Sequence, residues 1–234
     1  MVTADQRQRS LATEVKFLID ASEGARIRDW AREHLDADPH GSGPFGDEYR
    51  TASLYFDTSD RDVFHGRRSF GRSKHRVRRY GDAPDVFLER KLRLRDVVHK
   101  RRSRMPLADL TNLAGGDLDG NAAWFDRRLK LRRLLPTCLV SYRRTAREID
   151  VNGTTVRLTV DDEVTGARAD RLSFDASPGI PLLDGWTILE LKFRDHLPAM
   201  FKRLVEEYNL QAEPASKYRL TMAELGAEVQ EQTI

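Results

Sequence analysis

The chain contains a single cysteine, Cys138, among its 234 residues. One thiol excludes an intrachain disulfide and a cysteine-based metal site. Its apolar neighbours indicate a small buried side chain, and a reducing compartment is compatible with this composition. No run of about 18 apolar residues occurs, so we expect no membrane-spanning segment. The polar N-terminus lacks the apolar stretch of a signal peptide, and we therefore expect a cytoplasmic protein.

An excess of one charge sign is also missing, because 40 Lys and Arg oppose 37 Asp and Glu for a formal net charge of +3. Overall charge therefore does not predict binding to any polyanion, and an anion site requires local clustering. The hydrophobic content of 39% is sufficient for a core. The length suits one large domain or two small ones, and we favour a single domain over residues 1–234.

Familiar nucleotide and metal motifs are lacking as well. The Walker A pattern is absent, and the segment GSGPFG at 41–46 matches a dinucleotide fingerprint only by its letters. It contains Pro44 and precedes a predicted strand, whereas the fingerprint opens a helix, so we interpret it as a loop. The six histidines show no metal-ligand spacing.

Hydrophobic periodicity predicts a strand-rich chain with few helices. Strands are predicted over 13–20, 49–60, 72–80, 83–96, 97–107, 138–151, 154–164 and 186–198. Helices are predicted over 21–35, 120–135 and 198–210. The buried stripe of the second helix is assigned to Ala123, Trp124, Leu131, Leu134 and Leu135, with Pro136 ending it, and Trp124 and Trp186 are expected to anchor the core. Asn152-Gly153 lies between two alternating runs, which is a strong hairpin signal.

The segment SKHRVRRY at 73–80 introduces the most informative pattern in the sequence. Side chains alternate between the two faces of a strand, so Lys74, Arg76, Arg78 and Tyr80 share one face. The same period-two pattern, apolar on one face and mostly cationic on the other, recurs in seven predicted strands. Cations outnumber acids on these charged faces by about two to one, although a wet sheet face usually mixes the signs.

Two arrangements satisfy this pattern. The charged faces can look outward to water over an ordinary core, which is common for antiparallel sheets. Alternatively, the sheet closes into a barrel with charged faces inside and helices packed on the apolar outside. The number of strands with this pattern favours the second arrangement. We therefore predict an α+β fold: an antiparallel β-barrel tunnel with helices packed outside.

A cationic lumen requires a neutralising partner, because desolvated like charges cost several kcal/mol apiece unless they are paired. A chain of phosphates would supply that charge, since Arg and Lys are the usual partners of phosphate oxygens. The few carboxylates on the charged faces would then hold a divalent cation that bridges phosphates. These carboxylates are Glu14, Glu89, Glu148 and Glu190.

The order of several short segments resembles a known family. The segments EVKF, SLYFDT, RVRRY, FLERK, SYRR, VRLTVDD, ILELKF and SKYRL occur in the order seen in the CYTH, or triphosphate tunnel metalloenzyme, superfamily. The resemblance covers roughly residues 10–222 and is closest to the VTC branch, whose eukaryotic members are polyphosphate polymerases of the vacuolar transporter chaperone complex. It implies a tunnel that binds ATP and inorganic polyphosphate or tripolyphosphate with Mg²⁺ or Mn²⁺.

The resemblance also implies roles for individual residues. Catalytic roles fall on Lys16, Arg76, Arg78, Lys91, Arg144 and Arg157. Phosphate-binding roles fall on Lys100, Arg102, Tyr142, Lys192, Ser216 and Lys217, with Arg102 or Arg104 able to replace Lys100 after a small register shift. Metal ligation falls on Glu190, the principal ligand, with Glu14 and Glu89.

One departure from the family's pattern concerns its first motif. Many tunnel hydrolases begin with Glu-x-Glu-x-Lys, but here Ala12 occupies the first position. This favours the VTC branch and thus a polyphosphate polymerase. A tripolyphosphatase is the alternative, and a non-catalytic polyphosphate-binding module ranks third. RNA binding would favour aromatic platforms among the basic residues, so we expect no nucleic-acid partner.

Overall fold

A computed structural model describes residues 7–10, 12–94, 97–113, 115, 120–175 and 179–226. Within these residues the strands are β1 (Arg7–Ser10), β2 (Ala12–Asp20), β3 (Asp36–Ala37), β4 (Glu48–Asp57), β5 (Ser73–Tyr80), β6 (Asp85–Leu94), β7 (Val97–Pro106), β8 (Leu135–Val151), β9 (Thr154–Arg168), β10 (Ile180–Pro181) and β11 (Trp186–Arg194). The α-helices are α1 (Ala21–His34), α2 (Ala123–Arg132), α3 (Ala199–Glu207) and α4 (Lys217–Glu224). None of these helices is long and apolar enough to cross a bilayer.

The strands form one antiparallel sheet in the order β1-β7-β6-β5-β4-β8-β9-β11-β2, with β10 beside β9 and β3 beside β8. Among the described residues no backbone pairing joins β7 to β2, so the sheet is not closed by a continuous ladder. Its two outermost strands are nevertheless neighbours in the sequence, since only residue 11 separates β1 from β2. The chain itself therefore brings the two edges together and wraps the sheet around a channel.

The convex face of the sheet carries the apolar side chains, and helices cover it. Helices α1 and α3 pack on β2, β9 and β11, where Ile27 and Phe201 join buried strand residues such as Leu189. Helix α2 packs Phe125 and Leu129 in the same cluster as residues from β4 to β8. The predicted arrangement of apolar faces outside and helices over them is confirmed.

Helix α4 lies instead against β8 and β9, where Tyr218 and Met222 are buried. The helix approaches the sheet so closely that a Cβ at Gly166 would lie 2.6 Å from Cγ2 of Thr221. Tyr218 donates its hydroxyl to buried Asp57 at the end of β4, which fixes the helix across one end of the channel.

The helix predicted at 120–135 is correct in type but wrong in extent and in part of its buried stripe, of which Leu134 is buried as predicted. Helix α2 ends at Arg132 because Arg133 adopts a left-handed conformation, and Pro136 belongs to β8. Leu131 is 72% exposed and Leu135 is 55% exposed, whereas Phe125 and Leu129 are buried. Helix α2 packs a different face against the sheet from the one predicted. Leu135 lies in strand β8, so strand pairing determines where its side chain points.

Of the two tryptophans predicted to anchor the core, Trp124 packs against the main hydrophobic cluster and Trp186 does not. Trp186 is 49% exposed at the start of β11, so its assignment as a core anchor is wrong. Trp124 is partly buried, and its indole nitrogen donates to Ser103 Oγ at 2.7 Å. The hairpin is confirmed, with Asn152 and Gly153 at positive φ between β8 and β9. The junction between the strands predicted at 83–96 and 97–107 falls on residues 95 and 96, which lie outside the described residues.

Candidate functional site

Several charged side chains on the concave face are shielded from water. Arg78, Arg144 and Glu190 are 6%, 7% and 5% exposed, and Asp161 is fully buried. A wet outer face would leave such side chains in solvent, so the tunnel arrangement, and not the open sheet, is confirmed. The channel is the space lined by the inward side chains of β2, β4 to β9 and β11.

One row of the channel wall crosses β4, β5 and β6, because Tyr55 pairs with Arg76 and Arg76 pairs with Glu89. Arg76 Nε donates to Glu89 Oε2 at 2.7 Å, and its Nη1 donates to the Tyr55 hydroxyl at 3.2 Å. Burial raises the pKa of Glu89, but Arg76, Arg78 and Arg102 outweigh it and lower that pKa to about 2. The row therefore holds a carboxylate between fixed guanidinium groups.

Arg78 lies one step along β5 and is held by two hydroxyl groups. Its Nε donates to Ser53 Oγ at 3.1 Å, and its Nη2 donates to the Tyr142 hydroxyl at 3.0 Å. Burial lowers the pKa of Arg78 and Arg76 lowers it further, but neighbouring tyrosines and Glu89 raise it above the ordinary value. A buried, permanently charged guanidinium whose hydrogen-bond partners among the described residues are neutral suits an anionic ligand.

On β8 and β9, Arg144 makes two hydrogen bonds to Asp161, at 2.6 and 2.7 Å. Lys217, at the start of α4, adds a third contact to Asp161 Oδ2 at 2.6 Å. Burial raises the pKa of Asp161, but Arg144 and Lys217 prevail and lower it below its usual range. Asp161 is a site residue for which the sequence predicted no role. The hairpin register set by Asn152-Gly153 places Asp161 opposite Arg144, so this register would have predicted the pair from the sequence.

Arg157, further along β9, is held by Glu148 at 3.3 Å and by the Tyr49 hydroxyl at 3.0 Å, and it also pairs with buried Asp38. Tyr49 and Asp38 are further residues that sequence reasoning missed. Asp38 follows the two-residue strand β3, which none of the predicted elements covers, so no local signal pointed to it.

The opposite wall is formed by β2 and β11, in which Lys16 pairs with Glu190 and Glu14 pairs with Lys192. Glu190 forms ion pairs with two lysines: its Oε1 lies 2.9 Å from Lys192 Nζ and its Oε2 lies 3.5 Å from Lys16 Nζ. Burial raises the pKa of Glu190, but Lys192, Lys16 and Arg144 lower it well below its usual value. The inward side chains of β2 and β11 therefore alternate in charge, and each glutamate on this wall lies beside lysines.

Glu14 reaches from β2 to the other edge of the sheet. Its carboxylate contacts Lys91 Nζ on β6 at 2.7 Å and also Lys100 on β7. Burial and the charge of Glu190 raise the pKa of Glu14, but Lys100, Lys192 and Lys91 prevail and lower it to about 2. These ion pairs join the two edges that no described backbone ladder connects.

The expected metal ligands are only partly brought together. Among the described residues no group of three or more His, Cys, Asp or Glu side chains could hold a metal ion. Glu14 and Glu190 lie diagonally on neighbouring strands and influence each other's titration, whereas Glu89 is engaged by Arg76 and Arg102 on β5 and β7. Two carboxylates fit Mg²⁺ or Mn²⁺ if phosphate oxygens and water complete the coordination.

At the end covered by α4, Ser216 Oγ accepts a hydrogen bond from Lys74 Nζ at 2.8 Å. Lys16 Nζ donates to the carbonyl of Ala215 at 3.3 Å, so the segment before α4 contacts two channel lysines. Burial lowers the pKa of Lys74 to about 8. The sequence analysis placed Lys74 on the charged face but assigned it no role. Arg104, the candidate replacement for Lys100, is 70% exposed and paired with Asp85.

With this geometry in place, comparisons with known proteins identify the family. The sequence profile of the VTC domain matches residues 11–225. This chain belongs to the VTC domain family. A search of curated proteins found no match to this VTC domain.

Two solved structures resemble this VTC domain in fold. A candidate adenylate cyclase from Bacillus halodurans superposes with a TM-score of 0.55 at 15% identity, covering 87% of this chain and 92% of that one. A candidate adenylyl cyclase from Hippeastrum, described as having a dominant triphosphatase activity, gives a TM-score of 0.53 at 15% identity, covering 93% and 99%. At this identity the likeness establishes the triphosphate tunnel fold.

Proposed function

We propose that this VTC domain is a phosphotransferase that adds the γ-phosphate of ATP to a growing inorganic polyphosphate chain. The observation that carries the proposal is the burial of Arg78 on the concave face of the channel, where its hydrogen-bond partners are the neutral hydroxyl groups of Ser53 and Tyr142. Buried guanidinium groups are costly unless a counter-charge approaches them, and condensed phosphate carries negative charge on every unit. Membership of the VTC domain family supports the polymerase over other reactions.

The residues divide by their position in the channel. Arg76, Arg78, Arg144, Arg157, Lys16 and Lys91 are proposed to neutralise the transferring phosphoryl group and its neighbours. Lys100, Lys192, Lys217, Tyr142 and Ser216 are proposed to bind the remaining phosphate oxygens. Most of these cations already have protein partners, so ligand phosphates would share or displace carboxylates that now hold them. Fixed donors of this kind stabilise developing charge without reorganising during the reaction.

Glu14 and Glu190 are the residues proposed to hold Mg²⁺ or Mn²⁺ jointly with the substrate. A divalent cation held there would act as a Lewis acid and reduce the negative charge on the phosphates. The two carboxylates pair with Lys16, Lys91, Lys100 and Lys192, so these four lysines lie beside the proposed metal ligands, where they could also donate to phosphate oxygens. We assign Glu89 a different task, which is to orient Arg76 through their 2.7 Å hydrogen bond.

The chemistry requires no protein nucleophile. The terminal phosphate oxygen of the acceptor chain attacks the γ-phosphorus of ATP, the bond to the β,γ-bridging oxygen breaks, and ADP leaves with that electron pair. The channel holds both reactants in line and neutralises the charge on the equatorial oxygens. Shielding from bulk water favours a phosphate acceptor over hydrolysis.

A direct experiment is incubation of the purified protein with ATP and Mn²⁺, followed by electrophoresis for polyphosphate and an assay for orthophosphate. We expect long-chain polyphosphate and stoichiometric ADP. The matched control is Glu190→Gln, which keeps the side-chain shape but removes a proposed metal-ligand charge. Release of orthophosphate alone would reject the polymerase.

A tripolyphosphatase is the second candidate, and the described triphosphatase activity of the Hippeastrum protein of similar fold favours it. The same cradle would serve, with water in place of the acceptor phosphate. Rapid orthophosphate release from tripolyphosphate, without polyphosphate from ATP, would support this alternative.

A further inference from the structure

Aromatic side chains interrupt the charged face at the end of the channel away from α4. Tyr80 is the last residue of β5, and Lys74 at the other end of that strand contacts Ser216, six residues or roughly 20 Å away. Tyr80 packs edge-on against Phe87 with ring centroids 5.6 Å apart and against Tyr49 at 5.7 Å. Phosphate binding does not require aromatic rings, so the proposed reaction assigns no function to this aromatic cluster.

Arg102 extends the cluster with a flat, partly exposed surface. Its guanidinium carbon lies 3.6 Å from the Phe87 ring centroid and 5.5 Å from that of Tyr80. Glu89 Oε1 contacts Arg102 Nε at 3.3 Å, yet 45% of the Arg102 side chain remains exposed. A guanidinium stacked on one ring can stack a second planar group on its other face.

The cluster directly adjoins the cations proposed to bind phosphate. Glu89 contacts both Arg102 and Arg76, so a single carboxylate links the aromatic end to the charged row. Arg78 lies with its guanidinium carbon 5.8 Å from the Tyr80 ring centroid. A ligand that fits both parts carries a chain of phosphates and a planar ring at one end, as a nucleoside triphosphate does.

We propose that Phe87, Arg102 and Tyr80 form a stacking platform for the base of the nucleoside triphosphate donor. This inference rests on the proposed function and assigns Arg102 to the base instead of to a phosphate oxygen. Stacking tolerates any base because every base has a π-face. The platform therefore selects a nucleotide over inorganic tripolyphosphate, with its phosphates directed from the Tyr80 end toward Arg76.

The test compares two ligands by calorimetry in the presence of Mg²⁺: the β,γ-imido analogue of ATP and inorganic tripolyphosphate. Arg102→Lys keeps the charge but removes the plane, and Phe87→Leu removes the ring beneath it. Each variant should weaken binding of the analogue about tenfold and change tripolyphosphate affinity less than twofold. Arg50→Lys is the matched control, because the Arg50 side chain is 70% exposed and pairs with the partly exposed Glu163, and both affinities should be unchanged.

Equal weakening of both ligands would overturn the platform, because a charge or folding role moves both affinities together. Unchanged binding of the analogue in both variants would overturn it as well. If wild-type protein binds tripolyphosphate and both variants bind the two ligands as tightly as wild type does, the proposed channel function survives and only the platform is rejected. If wild-type protein binds neither ligand, the proposed function and the platform are both rejected.

Discussion

Arg144 and Asp161 form a two-point ion pair inside the channel, in which the arginine Nε and Nη2 atoms lie 2.6 and 2.7 Å from the two carboxylate oxygens. Lys217 reaches the same carboxylate from α4. The pair thus connects the two longest strands to the helix that covers one end of the channel. It fixes the orientation of a guanidinium group that the proposed reaction uses.

Replacement of Asp161 by Asn should destabilise the fold strongly. The change leaves Arg144 and Lys217 buried without their counter-charge, which typically costs about 3–5 kcal/mol. Urea unfolding at neutral pH measures the loss. Arg50→Ala, which breaks an exposed pair with Glu163, should cost less than about 1 kcal/mol. Added tripolyphosphate should recover part of the lost stability in Asp161→Asn, and equal stability of the two variants would contradict the role of the buried pair.

Replacement of Arg78 by Ala should weaken tripolyphosphate binding more than it weakens the fold. A hydrogen bond to a charged group contributes about 1.5–3 kcal/mol, which corresponds to roughly a 10- to 150-fold increase in the dissociation constant. Calorimetric titration measures the change. Arg79→Ala is the comparison on the same strand, because the alternation of β5 places Arg79 on the convex face. Wild-type affinity in Arg78→Ala would remove this residue from the site.

Acid should unfold the protein through Glu89. Its pKa is lowered from 4.5 to about 2 in the folded state, so its ion pairs stabilise the fold above about pH 4.5 and are lost as the pH falls toward 2. The linked contribution is on the order of 3 kcal/mol. Stability measured by urea unfolding between pH 6 and pH 3 should decline less steeply in Glu89→Gln than in wild type. Parallel pH profiles would show that Glu89 has an ordinary pKa.

Alkaline pH should weaken phosphate binding through Lys74. Burial lowers the pKa of Lys74 to about 8, and a bound polyanion favours its charged form. Affinity for tripolyphosphate should therefore be constant below about pH 8 and decrease above it, with proton uptake on binding. Calorimetry in buffers of different ionisation enthalpy at pH 8.5 measures that uptake. Lys74→Met should remove it, and undiminished uptake in this variant would assign the proton to another group.

Short-range patterns predicted most of the elements. The alternation of TEVKFLID places Phe17 and Ile19 in the core and Glu14 and Lys16 in the channel, as in the structure. The Asn152-Gly153 turn sets the register that pairs Glu148 with Arg157. These predictions succeed because turn chemistry and a period of two are local properties of the chain.

Local patterns failed where distant segments decide the outcome. The helix around Leu131 has several apolar positions, and only packing against the sheet selects Phe125 and Leu129. The contact between Lys74 and Ser216 joins residues 142 positions apart, and no periodicity reports it. Glu89, expected as a metal ligand, accepts a hydrogen bond from Arg76 on the neighbouring strand, and this pairing also depends on which strands become neighbours.

The amino-acid sequence alone determined which side chains share a face, because a strand's pleat turns every second residue to the same side. Only the tertiary structure decided that this face is concave and shielded. Its curvature depends on the pairing of β1 with β7 and of β2 with β11, which brings the distant edges of the sheet together through one short stretch of chain. Burial of charge follows from that long-range closure. The recurrence of cationic faces in seven predicted strands favoured it, but the pattern of any single strand does not distinguish a channel face from a solvent-facing one.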